Sequence, residues 1–252
     1  MAEKHIIFGL HAVEAAVKRD SEHIERVYLE QGRRDERARQ LEGQVRAAGV
    51  ALERVKRQVL DDLTGGQRHQ GVAAEATLPG PGDERQLARI LDDLNDPPFL
   101  LVLDGVQDPH NLGACLRTAD AAGVQAVIAP KDRACGLTST VRKVASGAAE
   151  IVPFIQVTNL ARTLRELRER GIWLVGTDLS AESDLYQADL AGPLALVMGA
   201  EEKGLRRLTR EHCDQLVKLP MVGTVQSLNV SVSTGICLYE ALRQRRGQGT
   251  SC

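Results

Sequence analysis

The chain has 252 residues, 43 % of them apolar and 26 % charged, with a formal net charge of −2. That is enough for one large or two small domains around a real core, and no apolar run approaches the roughly 18–20 residues of a membrane span. The near-neutral balance argues against nucleic-acid binding by global charge but leaves room for a local basic face, and 3 % aromatics argue against a broad base-stacking platform.

The N-terminal text "MAEKHIIFGLHAVEAAV" has early charges, a short apolar run and no cleavage site, so it does not read as a signal peptide. Strand and helix periods then alternate: "HIIF", "LHAVEAAVKRD", "IERVYLE", "DERARQLEGQVRAAG", "VALERV", a short helix, and "GVAAEAT". Residues 1–77 carry 13 Lys and Arg against 13 Asp and Glu, so any basic face there is local. Arg33, Arg34, Arg37 and Arg39 cluster in "GRRDERAR", and Arg68 and His69 stand in "RHQG". These read either as a solvated helix face and a loop or as phosphate contacts.

"TLPGPGD", Thr77 to Asp83, is a turn-rich break, and Pro97-Pro98 ends a short helix-like stretch, Glu84 to Leu94. This places a small α/β domain at residues 1–77, a linker at 78–97 and a larger domain at 98–252. The larger domain opens with "FLLVLDG", an uninterrupted apolar run suited to a buried parallel strand. The loop "VQDPHN", the helix "LGACLRTADAAG" and the strands "VQAVIAP", "GIWLVGT", "LALVMG" and "QLVKLP" follow, with helical stretches between. Strands alternating with helices imply an α/β domain with a mostly parallel sheet, whose ligands bind at the carboxyl ends of the strands. The five cysteines, Cys115, Cys135, Cys213, Cys237 and Cys252, show no ligand spacing, so reduced cytoplasmic thiols and no metal site are expected.

Three segments after strands therefore attract attention: "DGVQDPHN", "GAEEKGLRR" and "PMVGTVQSLN". Asn111 at the end of the first is read as the N-cap of the next helix. On that helix Leu112, Cys115, Leu116 and Ala119 share one side and Arg117 lies nearly opposite, facing either water or a phosphate or partner subunit. Gly199 lets a ligand approach the backbone, without the Gly-x-Gly-x-x-Gly dinucleotide fingerprint. "SLNVSVSTGICLYE", Ser227 to Glu240, is ambiguous: its first half alternates like a strand and its second half reads as a helix.

Read in order, "DGVQDPHNLGACLRTADAAGV", "LALVMGAEEKGLRRLTREHCD" and "LPMVGTVQSLNVSVSTGICLYEALRQ" resemble the three motifs of the SpoU-type RNA 2′-O-methyltransferases of the SPOUT superfamily. The region with "HQG" resembles the substrate-binding domain of the family's bacterial enzymes that act on a guanosine of 23S rRNA. The resemblance spans essentially the whole chain. It implies a C-terminal parallel-sheet domain with a deep trefoil knot, against the usual rule, plus a small N-terminal α/β substrate-binding domain. It implies a cytoplasmic homodimer with active sites near the subunit interface, and S-adenosylmethionine as cofactor.

By position it gives Gly199, Leu219 and Leu228 to the cofactor, and Asn111, Arg117, Glu201, Ser227 and Asn229 to catalysis. Arg117 suits a phosphate clamp better than a base, because a guanidinium keeps its proton. The last motif would begin a helix, with Leu228, Val232, Gly235, Tyr239 and Leu242 in one stripe where Gly235 admits another backbone. The implied reaction is methylation of a guanosine 2′-hydroxyl in 23S rRNA, on naked RNA or a large-subunit precursor particle. The alternatives are a tRNA ribose methyltransferase of the same family and a non-catalytic ribosome-assembly factor.

Overall fold

The computed structural model describes residues 3–19, 21–78, 80–200 and 204–248. By its internal contacts the chain divides into two units, Met1–Gly80 with Leu137–Ile151, and Pro81–Gly136 with Val152–Cys252. Residues 137–151 thus count with the first unit and residues 81–97 with the second, where the sequence reading has 98–252 as one domain and 78–97 as a linker.

In the first unit, β1 (Glu3–Phe8), α1 (Leu10–Arg19), β2 (Ile24–Glu30), α2 (Glu36–Ala47), β3 (Ala51–Val55), α3 (Arg57–Thr64) and β4 (Val72–Leu78) follow one another. The sheet order is β1-β4-β2-β3. β2 and β3 are parallel, and β1 and β2 both run antiparallel to β4. So β1, β2 and β3 point the same way. Val13 and Ala16 of α1 and Leu41 and Val45 of α2 pack with Val27 and Leu29 as one core. Leu60 of α3 packs with Phe8, Val55 and Ala73 as another. α6 (Ser139–Ala145) packs on β1, with Lys143 Nζ 5.2 Å from the centre of the Phe8 ring.

The second unit holds α4 (Glu84–Asp93), β5 (Phe99–Asp104), α5 (Pro109–Ala122), β6 (Ala126–Pro130), β7 (Phe154–Val157), α7 (Leu160–Glu169), β8 (Trp173–Thr177), β9 (Ser183–Asp184), β10 (Leu194–Gly199), α8 (Arg207–His212), β11 (Gln215–Lys218) and α9 (Val230–Gln248). Its sheet has the order β7-β6-β5-β10-β8-β11-β9, all parallel. Two strands, β7 and β9, escaped the sequence reading. β9 has two residues, and no period shows in so short a run.

β5, β6 and β10 are apolar almost throughout because both sheet faces are covered. Leu100, Val102, Ala195 and Val197 meet Leu87 of α4 and Leu160, Leu164 and Leu167 of α7. α9 packs on α5 and on β10. From β5 the chain first winds outward through β6 and β7, then returns past β10 to β8. The order therefore reverses beside β5 and β10, the place where open α/β sheets bind ligands.

Two carboxylates tie this unit's stability to pH. The N–H of Thr158 donates to Glu84 at 2.7 Å, and Arg243 donates to Glu240 at 2.7 and 2.9 Å. Those bonds hold both carboxyls below the ordinary glutamate range. A depressed folded-state pKa contributes stability above the unfolded value, near ~4.3, that is lost as pH falls through the folded value. Urea midpoints should be level from about pH 7 to 5 and drop below about pH 4. Glu240→Gln should make the drop shallower; an unchanged acid limb in that variant would contradict the assignment.

Candidate active site

Four strands end side by side at the switch point: β5 at Asp104, β10 at Gly199, β8 at Thr177 and β11 at Lys218. Two cavities open there. One, of about 430 Å³, lies on the β5 side, lined by Asp104, Gln107, Asn111, Arg133 and Arg206 among others. The other, of about 330 Å³, lies on the β8 and β11 side, lined by Thr177, Asp178, Met198, Gly199, Leu219, Ser227 and Leu228 among others. Ala200, Gly204 and Val230 line both. The site has two chambers with a common wall after β10.

The wall is built tightly. Ala200 and Gly204 exchange backbone hydrogen bonds of 3.1 and 2.8 Å. Gly199 lies so close to them that an added Cβ would stand 2.2 Å from the Gly204 carbonyl carbon and 2.4 Å from the Leu205 nitrogen. Asp104 anchors the segment from the neighbouring strand. Its carboxylate is 1 % exposed and accepts from the Arg206 N–H at 2.9 Å and from Arg206 Nε at 2.5 Å. Asp104→Ala should destabilise the unit by about 1.5–3 kcal/mol, the range for hydrogen bonds to a charged group. The cost stays below that of a fully buried pair, because the Arg206 side chain is 42 % exposed. An unchanged urea midpoint would contradict this.

α5 begins differently from its reading. Asp108, not Asn111, is the N-cap, accepting from the His110 N–H at 2.9 Å, and Pro109 takes the first helical position. Asn111 is therefore inside the first turn and 92 % buried, since its relative exposure is 8 %. Its Oδ1 accepts from Asn229 Nδ2 at 3.0 Å. Asn229 in turn precedes α9, and its Oδ1 accepts from the Ser231 N–H at 2.9 Å and hydroxyl at 2.6 Å. The two asparagines thus join the starts of α5 and α9 beside the two chambers. The strand-like alternation from Ser227 is accidental: residues 219–229 have no regular structure and the helix starts at Val230.

The chambers and the asparagine pair bring together Asn111, Gly199, Leu219, Ser227, Leu228 and Asn229. Arg117 stands apart, exposed on the outer side of α5, while Leu112, Cys115, Leu116 and Ala119 are buried. Glu201 and Cys252 lie outside the described residues.

The stripe on α9 is also placed. Leu228, Val232 and Tyr239 are exposed, and the buried side is Val230, Thr234, Cys237, Leu238 and Ala241. A Cβ at Gly235 would meet Thr118 Cγ2 at 3.7 Å, an ordinary contact, so no close backbone approach within this chain requires glycine there. Cys237 and Cys213 are pushed up to about 12, by burial above all, which leaves them as unreactive thiols.

Asp104, Arg133 and Arg206 were missed. The one signal for Asp104 was a carboxylate closing an otherwise apolar strand. Arg133 gave none: its φ of +57° and its place in the β5-side chamber follow from two loops being laced together. Cys135 N–H donates to the Val106 carbonyl at 2.9 Å, and Gln107 Nε2 to the Arg133 carbonyl at 3.3 Å.

A parallel sheet with two joined chambers at its switch point has room for two ligands side by side. The comparisons agree on which class this is. The SpoU rRNA Methylase family matches residues 98–239, and the RNA 2′-O ribose methyltransferase substrate binding family matches residues 6–81. The chain is 58 % identical over 246 residues to the 23S rRNA (guanosine-2′-O-)-methyltransferase RlmB of Shewanella oneidensis, covering 98 % of this chain and 100 % of that one. It is 56 % identical over 245 residues to the enzyme of the same name from Ralstonia nicotianae, covering 97 % and 98 %. The crystal structure of the SpoU methyltransferase AviRb from Streptomyces viridochromogenes, in complex with the cofactor AdoMet, matches with a TM-score of 0.79 at 25 % identity, over 97 % of this chain and 91 % of that one. The chain belongs to the SpoU rRNA methylase family.

The β8-side chamber fits S-adenosylmethionine. Its volume is within the range of small-molecule sites, and Leu219, Leu228, Val217 and Met198 give apolar walls for a purine. The space a Gly199 side chain would need is taken by the Gly204–Leu205 backbone, so glycine there lets this wall of the chamber close. Asp178 supplies a negative group for a cationic ligand. Burial pushes its carboxyl up, but hydrogen bonds from the Ser180 hydroxyl (2.6 Å) and N–H (2.8 Å), with Arg210 nearby, outweigh that and hold it below the ordinary range.

Proposed function

We propose that the chain transfers a methyl group from S-adenosylmethionine to the ribose 2′-hydroxyl of a guanosine in 23S rRNA. The observation that carries this is the two-chambered site: a chamber of cofactor size shares Ala200, Gly204 and Val230 with a second chamber lined by Gln107, Asn111, Arg133 and Arg206. Bound S-adenosylmethionine supplies an electrophilic methyl on a sulfonium. The protein's own task is alignment, since a near-attack geometry accounts for much of the barrier.

In this reading Gly199, Leu219 and Leu228 hold the cofactor. Asn111 and Asn229, fixed to each other, orient the acceptor ribose, with Ser227 at the chamber wall and Glu201 assigned by the family motif. Arg117 is a phosphate clamp that also favours the developing alkoxide; a group that keeps its proton is not a base.

Arg117 does this from the partner subunit. Val232 and Tyr239 leave an apolar stripe exposed on α9, the helix that packs on α5 and begins at the chambers. A two-fold axis along that stripe would bury it and bring Arg117 of one protomer toward the site of the other. The deep trefoil knot belongs to the same proposal: the segment after β11 and the segment after β10 line one chamber. Residues 1–77 would bind RNA and 98–252 would catalyse. Among the described residues no helix is long and apolar enough to cross a membrane, and an rRNA substrate would make the enzyme cytoplasmic.

The test uses S-adenosylmethionine with a labelled methyl, unmodified 23S rRNA and tRNA. Label on a guanosine 2′-oxygen of 23S rRNA is expected. Label on tRNA alone would move the substrate within the family, and cofactor binding with no label on either RNA or a precursor particle would favour an assembly factor.

A further inference from the structure

We propose that the carboxyl end of the small sheet is a distinct RNA-contact site, a cleft for one unpaired nucleotide whose flanking phosphates lie on Arg37 and Arg68. The proposal rests on the chain being an RNA methyltransferase and adds where, and in what form, the RNA is gripped outside the catalytic chambers. Because β1, β2 and β3 point the same way, α1, α2 and α3 all start at one end of the sheet, and the loop entering β4 ends there too. A polar cleft of about 670 Å³ lies at that end, lined by Arg37, Arg57, Arg68, Glu30, Asp61 and the 66–71 loop among others.

Three helix N-termini therefore face one cleft, each carrying a partial positive charge of about half a unit. Arg37 and Arg68 are exposed, with no side-chain partner among the described residues. Charges balance over residues 1–77, so this concentration is local. It is also held in shape. Arg33 donates to the Gln70 carbonyl and, at 2.7 Å, to Asp35. Gln70 has φ +53° and accepts from the Leu10 N–H through its Oε1 at 3.2 Å.

His69 is 2 % exposed. The Gly71 N–H donates to its Nδ1 at 3.0 Å, so its ring proton is on Nε2 and reaches Asp61 at 3.0 Å. A fixed, non-glycine left-handed residue beside a buried histidine is the kind of cost retained at ligand sites.

The carboxylates decide the ligand form. Glu30, Asp35 and Asp61 line the cleft, beside Arg57, Arg33 and His69 respectively; they would repel a phosphate seated deep in it, but their remaining lone pairs accept N–H groups from a base edge. Phosphates then belong on the arginine rim and a base inside. Only an unpaired nucleotide offers its base edge this way.

Filter binding of the full-length protein to an unmodified 23S rRNA transcript, across salt, tests this. Arg37→Ala with Arg68→Ala removes two phosphate contacts, so the slope of log K against log salt should shallow by about 1.4 and affinity should fall about 25-fold at 0.1 M salt. The double lysine variant should regain the slope, and Arg46→Ala at the far end of α2 should match wild type. S-adenosylmethionine affinity should not change in any of them. Single-stranded RNA should compete better than a duplex of equal length. A double alanine variant with the wild-type slope, or equal competition by duplex, overturns the cleft while the methyltransferase reading stands; wild-type protein that binds neither the transcript nor a large-subunit precursor particle overturns both.

Discussion

Gly199→Ala is expected to weaken S-adenosylmethionine binding by at least a hundredfold. The added Cβ would stand 2.2 Å from one backbone atom and 2.4 Å from another, and backbone cannot rotate away as a side chain does. Overpacking against side chains costs about 1–3 kcal/mol; here the wall after β10 must itself move, and it is tied down by the Ala200–Gly204 bonds and by Asp104 on Arg206. Both chambers share that wall, so the acceptor side should suffer too. Gly223→Ala is the control, since a Cβ there meets nothing within 4 Å. Calorimetric titration of the two variants decides: a Gly199→Ala protein that binds cofactor within a few-fold of wild type would remove Gly199 from the proposed site.

Arg117→Ala is expected to lower methyl transfer by about 10²–10³-fold, the loss typical of one charge-stabilising donor, with cofactor affinity nearly intact. Arg117 is exposed, on the outer side of α5, and lines neither chamber described above. In the proposed dimer it serves the site of the other protomer. A mixture of Arg117→Ala with Asn111→Ala protein should then recover activity that neither has alone, to roughly a quarter of wild-type sites if protomers mix at random in a two-fold dimer. An active Arg117→Ala enzyme would remove the clamp. Failure of the mixture to recover activity, with mixed dimers shown to form, would place Arg117 in its own protomer's site.

Much of the fold was legible because its elements are locally encoded. "FLLVLD" and "LALVM" suit strands buried on both faces, which they form, and Gly123 stops α5 in the left-handed conformation that its sequence suggests. The switch-point loops could be chosen because each follows a strand read from the sequence. Asn111 was legible as a polar residue at a helix start, but which residue caps that helix was not. Asp108 and Asn111 are both good caps, and Pro109 at the first helical position favours Asp108.

By itself the sequence determined the alternating α/β class and three motifs specific enough to imply the family. Only the tertiary structure decided that Asn111 and Asn229, 118 positions apart, share a hydrogen bond, that Gly199 has no room for a Cβ, and that the stripe through Val232 and Tyr239 faces outward. It alone gathered three helix starts and the 66–71 loop into one cleft. The reason is physical. Propensity, capping and periodicity act over a few neighbouring residues, whereas a chamber wall, a buried carboxylate or an exposed stripe depends on which distant segments the sheet order brings together.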